Sequence, residues 1–304
     1  MADLTSASTS YPLVGIVSGM SDIKSVGILG SGIMGSGLAE VAAKAGYTVI
    51  VRSRTQATAD AMVASLGKSL AKQVERGKLA DEERTAILGR VSATDSLGAL
   101  SGCDLIIESV VEDLAIKKAL FAELEQVVQP NAIFATNTST LAVVELAMVT
   151  NRPDKVCGIH FFNPAPAMKL VEIIRPLTAS DDTIAAATAF AVACGKDAVE
   201  VKDQAGFIVN ALLFPYLNNA VRLAESGTAS VADIDTAMKG GCNFPMGPFA
   251  LLDLVGLDTS LAILDALYAE FSDPNYAAVP LLRRMVAAGL LGRKSSRGFF
   301  DYAR

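Results

Sequence analysis

The sequence is poor in the residues that bind metals and form disulfides. It contains a single histidine, His160, among 304 residues. Its four cysteines are far apart, form no CxxC pair and have no set of partner histidines; they are Cys103, Cys157, Cys194 and Cys242. This distribution argues against a metal site and favours reduced thiols in a cytoplasmic protein. We therefore expect no bound metal and a cytoplasmic location.

Long apolar runs and an excess of positive charge are also lacking. No run approaches the roughly 18 apolar residues of a membrane-spanning helix. Residues 1–23 lack the basic start and the uninterrupted apolar segment of a secretory signal, so we interpret them as an N-terminal extension before the first strand. Because the formal net charge is −6, we expect neither nucleic acid nor an anionic membrane as a partner.

The length and the apolar content favour two domains. A chain of 304 residues, 51% of them hydrophobic, can bury a sizeable core. Apolar strands alternate with helical segments up to residue 201, which predicts a Rossmann-type α/β domain with a doubly wound sheet over residues 24–204. Residues 205–304 are predicted to form an all-helical domain, with helices at about 207–226, 230–240, 248–271 and 280–288.

A glycine-rich turn follows the first predicted strand. The sequence GSGIMG begins directly after this strand and leads into a helix, so GxGxxG lies between a strand and a helix. Gly30 permits the tight turn, Gly32 lets a pyrophosphate approach the backbone, and Gly35 lets the helix pack on the strand. Backbone N–H groups at the start of the helix, near Ile33 and Met34, favour phosphate. This turn is predicted to bind a dinucleotide.

The end of the second strand indicates which dinucleotide is bound. NAD-binding domains usually carry an acidic residue there, about 20 residues after the glycines, for the ribose 2′-hydroxyl. This sequence instead reads Arg52-Ser53-Arg54, with no acid before Asp60. Two arginines and a hydroxyl would bind a 2′-phosphate that a carboxylate would repel. We therefore favour NADP(H) over NAD(H), although the arginines could also be ordinary surface residues.

The single histidine lies twelve residues before a carboxylate in an apolar strand. Glu172 interrupts the run LVEII, which is typical of a strand buried on both faces. Prolines between the two residues could reverse the chain and bring His160 to Glu172. A histidine held by a carboxylate can act as a general base with a fixed tautomer. Alternatively, the histidine packs in the core and Glu172 pairs with Lys169 or Arg175.

Three further polar positions suggest ligand contacts. Ser139 follows a predicted strand end, where open α/β sheets bind ligands, although it could instead cap the next helix. Asn210 lies in an apolar helix start and either faces a cleft or is an ordinary helix-face residue. Lys68, Lys72 and Arg76 form one basic stripe on an otherwise acidic protein. That stripe is either a solvated face or a site for an anionic ligand.

Taken in order, these segments resemble the short-chain 3-hydroxyacyl-CoA dehydrogenases. The resemblance extends from about residue 24 to residue 302. It rests on the order and spacing of GILGSGIMGSGLAE, LIIESVVED, TNTST, GIHFFNPAPAMKLVEII, GFIVN, PMGPFALLDLVGLD and GLLGRKSSRGFFDY. It implies reversible hydride transfer between a nicotinamide cofactor and a 3-hydroxyacyl-CoA, with a four-carbon substrate preferred. It also implies a homodimer formed through the helical domain.

The resemblance assigns a role to each matching position. It implies that His160 is the catalytic base, that Glu172 orients it, that Ser139 bonds the substrate oxygen, and that Asn210 completes the site. Beyond the glycine turn, its cofactor contacts fall on Glu112, Lys117, Asn163 and Lys294. Its coenzyme A contacts fall on Ser69, Lys72 and Arg76.

Two features leave room for other interpretations. Ser53 replaces the acid of NAD-using members, and Phe244 stands where many members have histidine, which we interpret as a packing change. The rival enzyme is either an NAD-dependent dehydrogenase of broader chain length or a dehydrogenase of a hydroxy acid that lacks coenzyme A. A non-catalytic dinucleotide-binding protein is the rival from another class.

Overall fold

The computed structural model describes residues 23–303, so the N-terminal extension, except for Ile23, lies outside the described residues. The first domain is built on one sheet of eight strands in the order β3-β2-β1-β4-β5-β6-β7-β8. The strands are β1 (Ser25–Leu29), β2 (Thr48–Arg52), β3 (Val91–Thr94), β4 (Leu105–Glu108), β5 (Ile133–Thr136), β6 (Val156–Phe161), β7 (Leu170–Arg175) and β8 (Asp197–Lys202).

Helices cover both faces of this sheet. They are α1 (Ile33–Lys44), α2 (Gln56–Glu75), α3 (Asp81–Leu88), α4 (Leu114–Glu125), α5 (Val143–Ala147) and α6 (Asp181–Ala193). Two apolar clusters, one on each face, bury the central strands. The predicted Rossmann-type α/β domain is therefore confirmed. Strand β3 was not predicted from the sequence, because this short edge strand is only partly buried and contains no apolar run.

The parallel strands bring the candidate site to one edge of the sheet. Strands β1, β4, β5 and β6 lie side by side and are parallel, so their carboxyl ends meet at that edge. The glycine turn, the segment 109–113 and the segment 137–140 each follow one of these ends. The sheet order reverses at β1, between β2 and β4, and open α/β sheets bind ligands at such a switch point.

The one antiparallel pair in the sheet explains how His160 meets Glu172. Strand β6 pairs with β7 in antiparallel register, and His160 lies directly opposite Glu172. Residues directly opposite on neighbouring strands project to the same face of the sheet. The predicted chain reversal therefore brings the imidazole and the carboxylate side by side through strand register alone.

The second domain is helical and has its own apolar core. Its helices are α7 (Val209–Glu225), α8 (Val231–Cys242), α9 (Pro248–Val255), α10 (Leu257–Phe271) and α11 (Pro280–Ala287). The prediction of one helix over residues 248–271 is wrong, because Gly256 has φ +101° and separates α9 from α10. The apolar pattern runs through both helices and does not reveal the break. No helix within residues 23–303 is both long and apolar enough to cross a membrane.

Candidate active site

The glycine turn has the geometry of a dinucleotide-binding loop. Gly30 has φ +114°, and a Cβ there would collide with the carbonyl oxygen of Ser109. A Cβ on Gly35 would collide with the Gly30 carbonyl oxygen, so helix α1 packs against the turn only with glycine. A Cβ on Gly32 would meet only open space. The N-terminus of α1 has no side-chain cap. Its first N–H groups, near Ile33 and Met34, therefore suit a pyrophosphate.

The tip of β2 carries hydroxyls and arginines. The Ser53 side chain is buried, and its Oγ lies 2.8 Å from Ser31 Oγ and 2.6 Å from Thr58 Oγ1. Arg52 donates from Nε to the carbonyl oxygen of Asp95, at 3.1 Å. Arg54 is exposed and forms no ion pair within residues 23–303. The nearest downstream acid, Asp60, accepts a hydrogen bond from Gln56, one turn into α2.

His160 and Glu172 form a buried pair. The distance between His160 Nδ1 and Glu172 Oε2 is 2.8 Å, and the two residues are 4% and 1% exposed. The alternative, in which Glu172 pairs with Lys169 or Arg175, is wrong for Arg175, which pairs with Asp181 and Glu200. An Nδ1–H that donates to a carboxylate leaves Nε2 free to exchange a proton with a ligand.

The second oxygen of Glu172 connects the two domains. Glu172 Oε1 accepts hydrogen bonds from the backbone N–H groups of Ile208 and Val209, both at 3.0 Å, where α7 begins. Burial raises the pKa of this carboxyl, but hydrogen bonds from His160 and from these two N–H groups outweigh burial and hold the pKa below its ordinary value. The carboxylate therefore stays ionised beside the imidazole.

Ser139 faces the other side of the imidazole. Its Oγ lies 3.3 Å from His160 Nε2. The alternative of a helix cap is wrong, because α5 begins at Val143 and the side chain of Asp203 accepts hydrogen bonds from its first N–H groups. The Ser139 N–H instead donates to Glu112 Oε1, at 2.8 Å. The hydroxyl is thereby held at the carboxyl end of β5.

A buried cluster of charged residues contacts the segment that contains Ser139 through Glu112. Lys117 is fully buried, and its Nζ lies 2.9 Å from both oxygens of Glu108 and 3.1 Å from Glu112 Oε2. Burial raises the pKa of Glu112, but the Lys117 ammonium and the Thr138 hydroxyl outweigh it, so this pKa is lowered. Because the Lys117 ammonium is enclosed by carboxylates, its cofactor contact stays a prediction.

Two buried charged residues near the site, Glu108 and Lys196, were not predicted from the sequence. Glu108 is fully buried and binds Lys117 and Thr136, and a carboxylate at the end of the apolar run LIIE was the available signal. Lys196 is 8% exposed, and its Nζ donates to the carbonyl oxygens of Ala165, at 2.6 Å, and Met168, at 2.8 Å. It thereby anchors the β6–β7 loop, and no local pattern distinguished it from a surface lysine.

The remaining predicted residues lie in several places. Asn210 is 8% exposed in the first turn of α7, and Asn163 is exposed in the β6–β7 loop. Lys294 donates from Nζ to Asp258 Oδ2, at 2.6 Å, in the helical domain. The basic stripe lies on the exposed face of α2 and at Arg76, directly after this helix. Lys72 and Arg76 form no ion pair within residues 23–303, and Ser69 donates from Oγ to Glu40 Oε2, at 3.4 Å. Their roles stay predictions.

Comparison with known proteins agrees with this architecture. A family model described as "3-hydroxyacyl-CoA dehydrogenase, NAD binding domain" matches residues 25–204, and one described as the C-terminal domain of the same family matches residues 206–302. A 3-hydroxybutyryl-CoA dehydrogenase of Mycobacterium tuberculosis is 47% identical over 286 residues, covering 93% of this chain and 100% of the relative. The human mitochondrial hydroxyacyl-coenzyme A dehydrogenase is 41% identical, covering 92% and 91%.

Solved structures agree as well. The (S)-3-hydroxybutyryl-CoA dehydrogenase of Ralstonia eutropha superimposes with a TM-score of 0.91 at 41% identity, covering 93% of this chain and 100% of that chain. The fold and the site thus define a two-domain oxidoreductase that uses a nicotinamide cofactor. More specifically, the chain belongs to the 3-hydroxyacyl-CoA dehydrogenase family.

The buried charged cluster should dominate stability at this edge of the sheet. Replacing Lys117 by Met leaves the Glu108 carboxylate buried without its partner, so we expect the free energy of unfolding to fall by about 3–5 kcal/mol. The measurement is urea denaturation at neutral pH. The control is Arg283→Met, which removes an exposed ion pair with Asp265 and should cost at most about 1 kcal/mol. Equal losses in the two variants would contradict this account.

Proposed function

We propose that the chain is a 3-hydroxybutyryl-CoA dehydrogenase that prefers NADP(H), with His160 as its general base and acid. The observation that carries the proposal is a single imidazole bonded to Glu172 through Nδ1, with its Nε2 beside the Ser139 hydroxyl. Relatives named 3-hydroxybutyryl-CoA dehydrogenase, 47% identical over nearly the whole chain, support the four-carbon substrate.

The imidazole moves the proton of the reaction. In the oxidative direction, His160 Nε2 accepts the proton of the substrate 3-hydroxyl, and the resulting imidazolium is stabilised by the ionised Glu172. In the reductive direction, the imidazolium returns that proton to the carbonyl oxygen. The Ser139 hydroxyl donates to the same oxygen while negative charge develops on it. When bound, the nicotinamide supplies or accepts the hydride.

Other residues orient the reactants. Glu112 holds the Ser139 N–H and so directs the hydroxyl toward the imidazole. Asn210 directly follows Val209, whose N–H binds Glu172, and this position supports a role in fixing either the imidazole or the thioester end of the substrate. Asn163 and Lys294 are proposed to contact the cofactor. Its pyrophosphate is proposed to bind at the glycine turn, near Gly32. Fixed geometry of this kind lowers the entropic part of the barrier.

The preference for NADP(H) is supported by the tip of β2. Arg54 is exposed and free of ion pairs within the described residues, and no carboxylate is present at the tip to repel a 2′-phosphate. The hydroxyls of Ser31, Ser53 and Thr58 form a connected group beside it that can donate to phosphate oxygens. Arg52 is directed toward the Asp95 carbonyl, so Arg54 is the stronger candidate of the two arginines.

The coenzyme A phosphates and a partner subunit have separate candidate surfaces. Lys72 and Arg76 lie on one exposed face of α2, and their positive charge suits phosphate. Leu212 is 72% exposed and Leu223 is 46% exposed on α7, which supports a homodimer formed through the helical domain. The free thiols of the described chain are compatible with a cytoplasmic location.

A matrix of reduction rates tests the substrate and the cofactor together. NADPH and NADH are each combined with 3-ketoacyl-CoA substrates of increasing chain length, starting from acetoacetyl-CoA, and with free acetoacetate. We expect the highest kcat/KM for NADPH with acetoacetyl-CoA, and a much lower value for free acetoacetate, because the basic stripe then has no phosphate to bind. Equal rates for all chain lengths would favour a dehydrogenase of broader chain-length range. No reduction of any of these substrates would contradict the proposal.

Substitution of the histidine tests the base. His160→Gln keeps a polar side chain of similar size but cannot exchange a proton, so kcat should fall by roughly 10²- to 10⁴-fold. The affinity for NADPH, measured by fluorescence titration, should stay the same, because the glycine turn is untouched. A variant that keeps wild-type turnover would refute the assignment.

Substitution at the strand tip tests the cofactor preference. Ser53→Asp with Arg54→Ile should lower kcat/KM for NADPH and raise it for NADH, since a carboxylate repels the 2′-phosphate and accepts from a 2′-hydroxyl. A carboxylate at position 53 can also accept hydrogen bonds from the Ser31 and Thr58 hydroxyls, so the turn should be kept. The control Arg84→Ile removes a half-buried arginine that pairs with Asp81 on α3 and should leave the NADPH/NADH ratio unchanged. An unchanged ratio in the double variant would show that the tip does not select the cofactor.

A further inference from the structure

Phe207 has an unusual backbone conformation at the junction of the two domains. Its φ is +48°, and it follows Gly206, whose φ is +74°. Left-handed backbone is accessible to glycine but costs a bulky side chain free energy. The chain places glycine at the first of these two positions and a phenyl ring at the second. A bulky residue persists in such a conformation only where its surroundings require it.

The phenyl ring is buried against the first domain and against the catalytic pair. Phe207 is 2% exposed and belongs to an apolar cluster formed otherwise by first-domain residues, among them Ile174 of β7. The centroid of its ring lies 5.5 Å from that of His160, with 59° between the ring planes. Phe162 also contacts the imidazole, at 4.6 Å. Two aromatic rings therefore restrict the orientation of the imidazole.

The backbone that follows Phe207 binds the other member of the pair. The N–H groups of Ile208 and Val209 both donate to Glu172 Oε1, at 3.0 Å. A negative φ at Phe207 would rotate the peptide groups that follow and turn these N–H groups away from the carboxylate. One residue thus acts on the imidazole through its ring and on the carboxylate through its backbone.

We propose that Phe207 is a positioning residue that assembles the His160–Glu172 pair when the helical domain docks on the sheet. The ring fixes the tilt of the imidazole, and the left-handed backbone directs two N–H groups at the carboxylate. Glu172 is then held in the orientation in which it accepts the Nδ1 proton of His160. This inference rests on the proposed role of His160 as the base.

The single histidine of the chain allows a direct test that needs no substrate. Labelling with ¹⁵N-histidine gives the NMR signals of one imidazole, His160, and these report which nitrogen carries the proton. The variant is Phe207→Leu, which keeps an apolar side chain but removes the ring. The matched control is Phe214→Leu, which removes an equally buried ring from the core of the helical domain, on the same helix as the N–H donors.

The expected results distinguish an effect on the orientation of His160 from an effect on the stability of the fold. Wild-type protein should show the neutral imidazole with its proton on Nδ1, and Phe207→Leu should show a measurable share of the tautomer protonated at Nε2. Turnover of Phe207→Leu should fall roughly 10- to 100-fold, because the base is misplaced, with little change in KM for the cofactor. Phe214→Leu should lower the melting temperature and leave both the tautomer and kcat as in wild type.

Two results would overturn the inference. It fails if Phe207→Leu keeps the wild-type tautomer and kcat, or if Phe214→Leu changes the tautomer to the same extent. Should Phe207→Leu not fold, Phe207→Gly replaces it, because glycine adopts the required φ without strain and removes only the ring. A wild-type protein with the expected tautomer but no reduction of acetoacetyl-CoA would contradict the proposed function and leave the positioning result standing.

Discussion

The architecture depends on one buried carboxylate that is shared between two domains. Glu172 Oε2 binds the imidazole of His160, and Oε1 binds two backbone N–H groups at the start of α7. An ionised carboxylate in this position is costly unless each oxygen has partners. Removal of the helical domain would take away two of the three hydrogen-bond partners of Glu172. The His160–Glu172 pair, which we propose as the general base, is therefore complete only when the two domains are docked.

A second charged cluster holds Ser139, whose hydroxyl lies beside Nε2 of the imidazole. Lys117 lies between Glu108 and Glu112, and Glu112 in turn accepts the N–H of Ser139. Both groups of residues lie at the edge of the sheet where the parallel strands end. Glu172 belongs to β7, whereas Glu108 and Lys117 belong to β4 and α4. His160 and Ser139, the proposed reacting groups, are thus held by buried electrostatic contacts on the sheet, as electrostatic catalysis requires.

In the proposed function, the elements that select the cofactor and the substrate differ from those that perform the chemistry. The glycine turn and His160 both lie within residues 25–204, which the family model of the NAD-binding domain matches. The tip of β2 and the exposed face of α2 instead present local positive charge on a chain whose formal net charge is −6. Phosphate groups are the ligands that such local charge favours. If these surfaces select the cofactor and the substrate as we propose, that selection can change while the His160–Glu172 pair stays the same.

Features that depend on local pattern could be predicted from the sequence. Glycine spacing and strand periodicity were sufficient for the Rossmann-type domain and the glycine turn. The prolines between His160 and Glu172 allowed a chain reversal, but the pairing of these two residues stayed one of two alternatives until the strand register decided it. Only the tertiary structure decided that Lys117 is enclosed by carboxylates, that Ser139 is held by Glu112 rather than capping a helix, and that Phe207 lies against the imidazole. These facts depend on contacts between residues far apart in the chain and on burial, and neither leaves a periodic signal in the sequence.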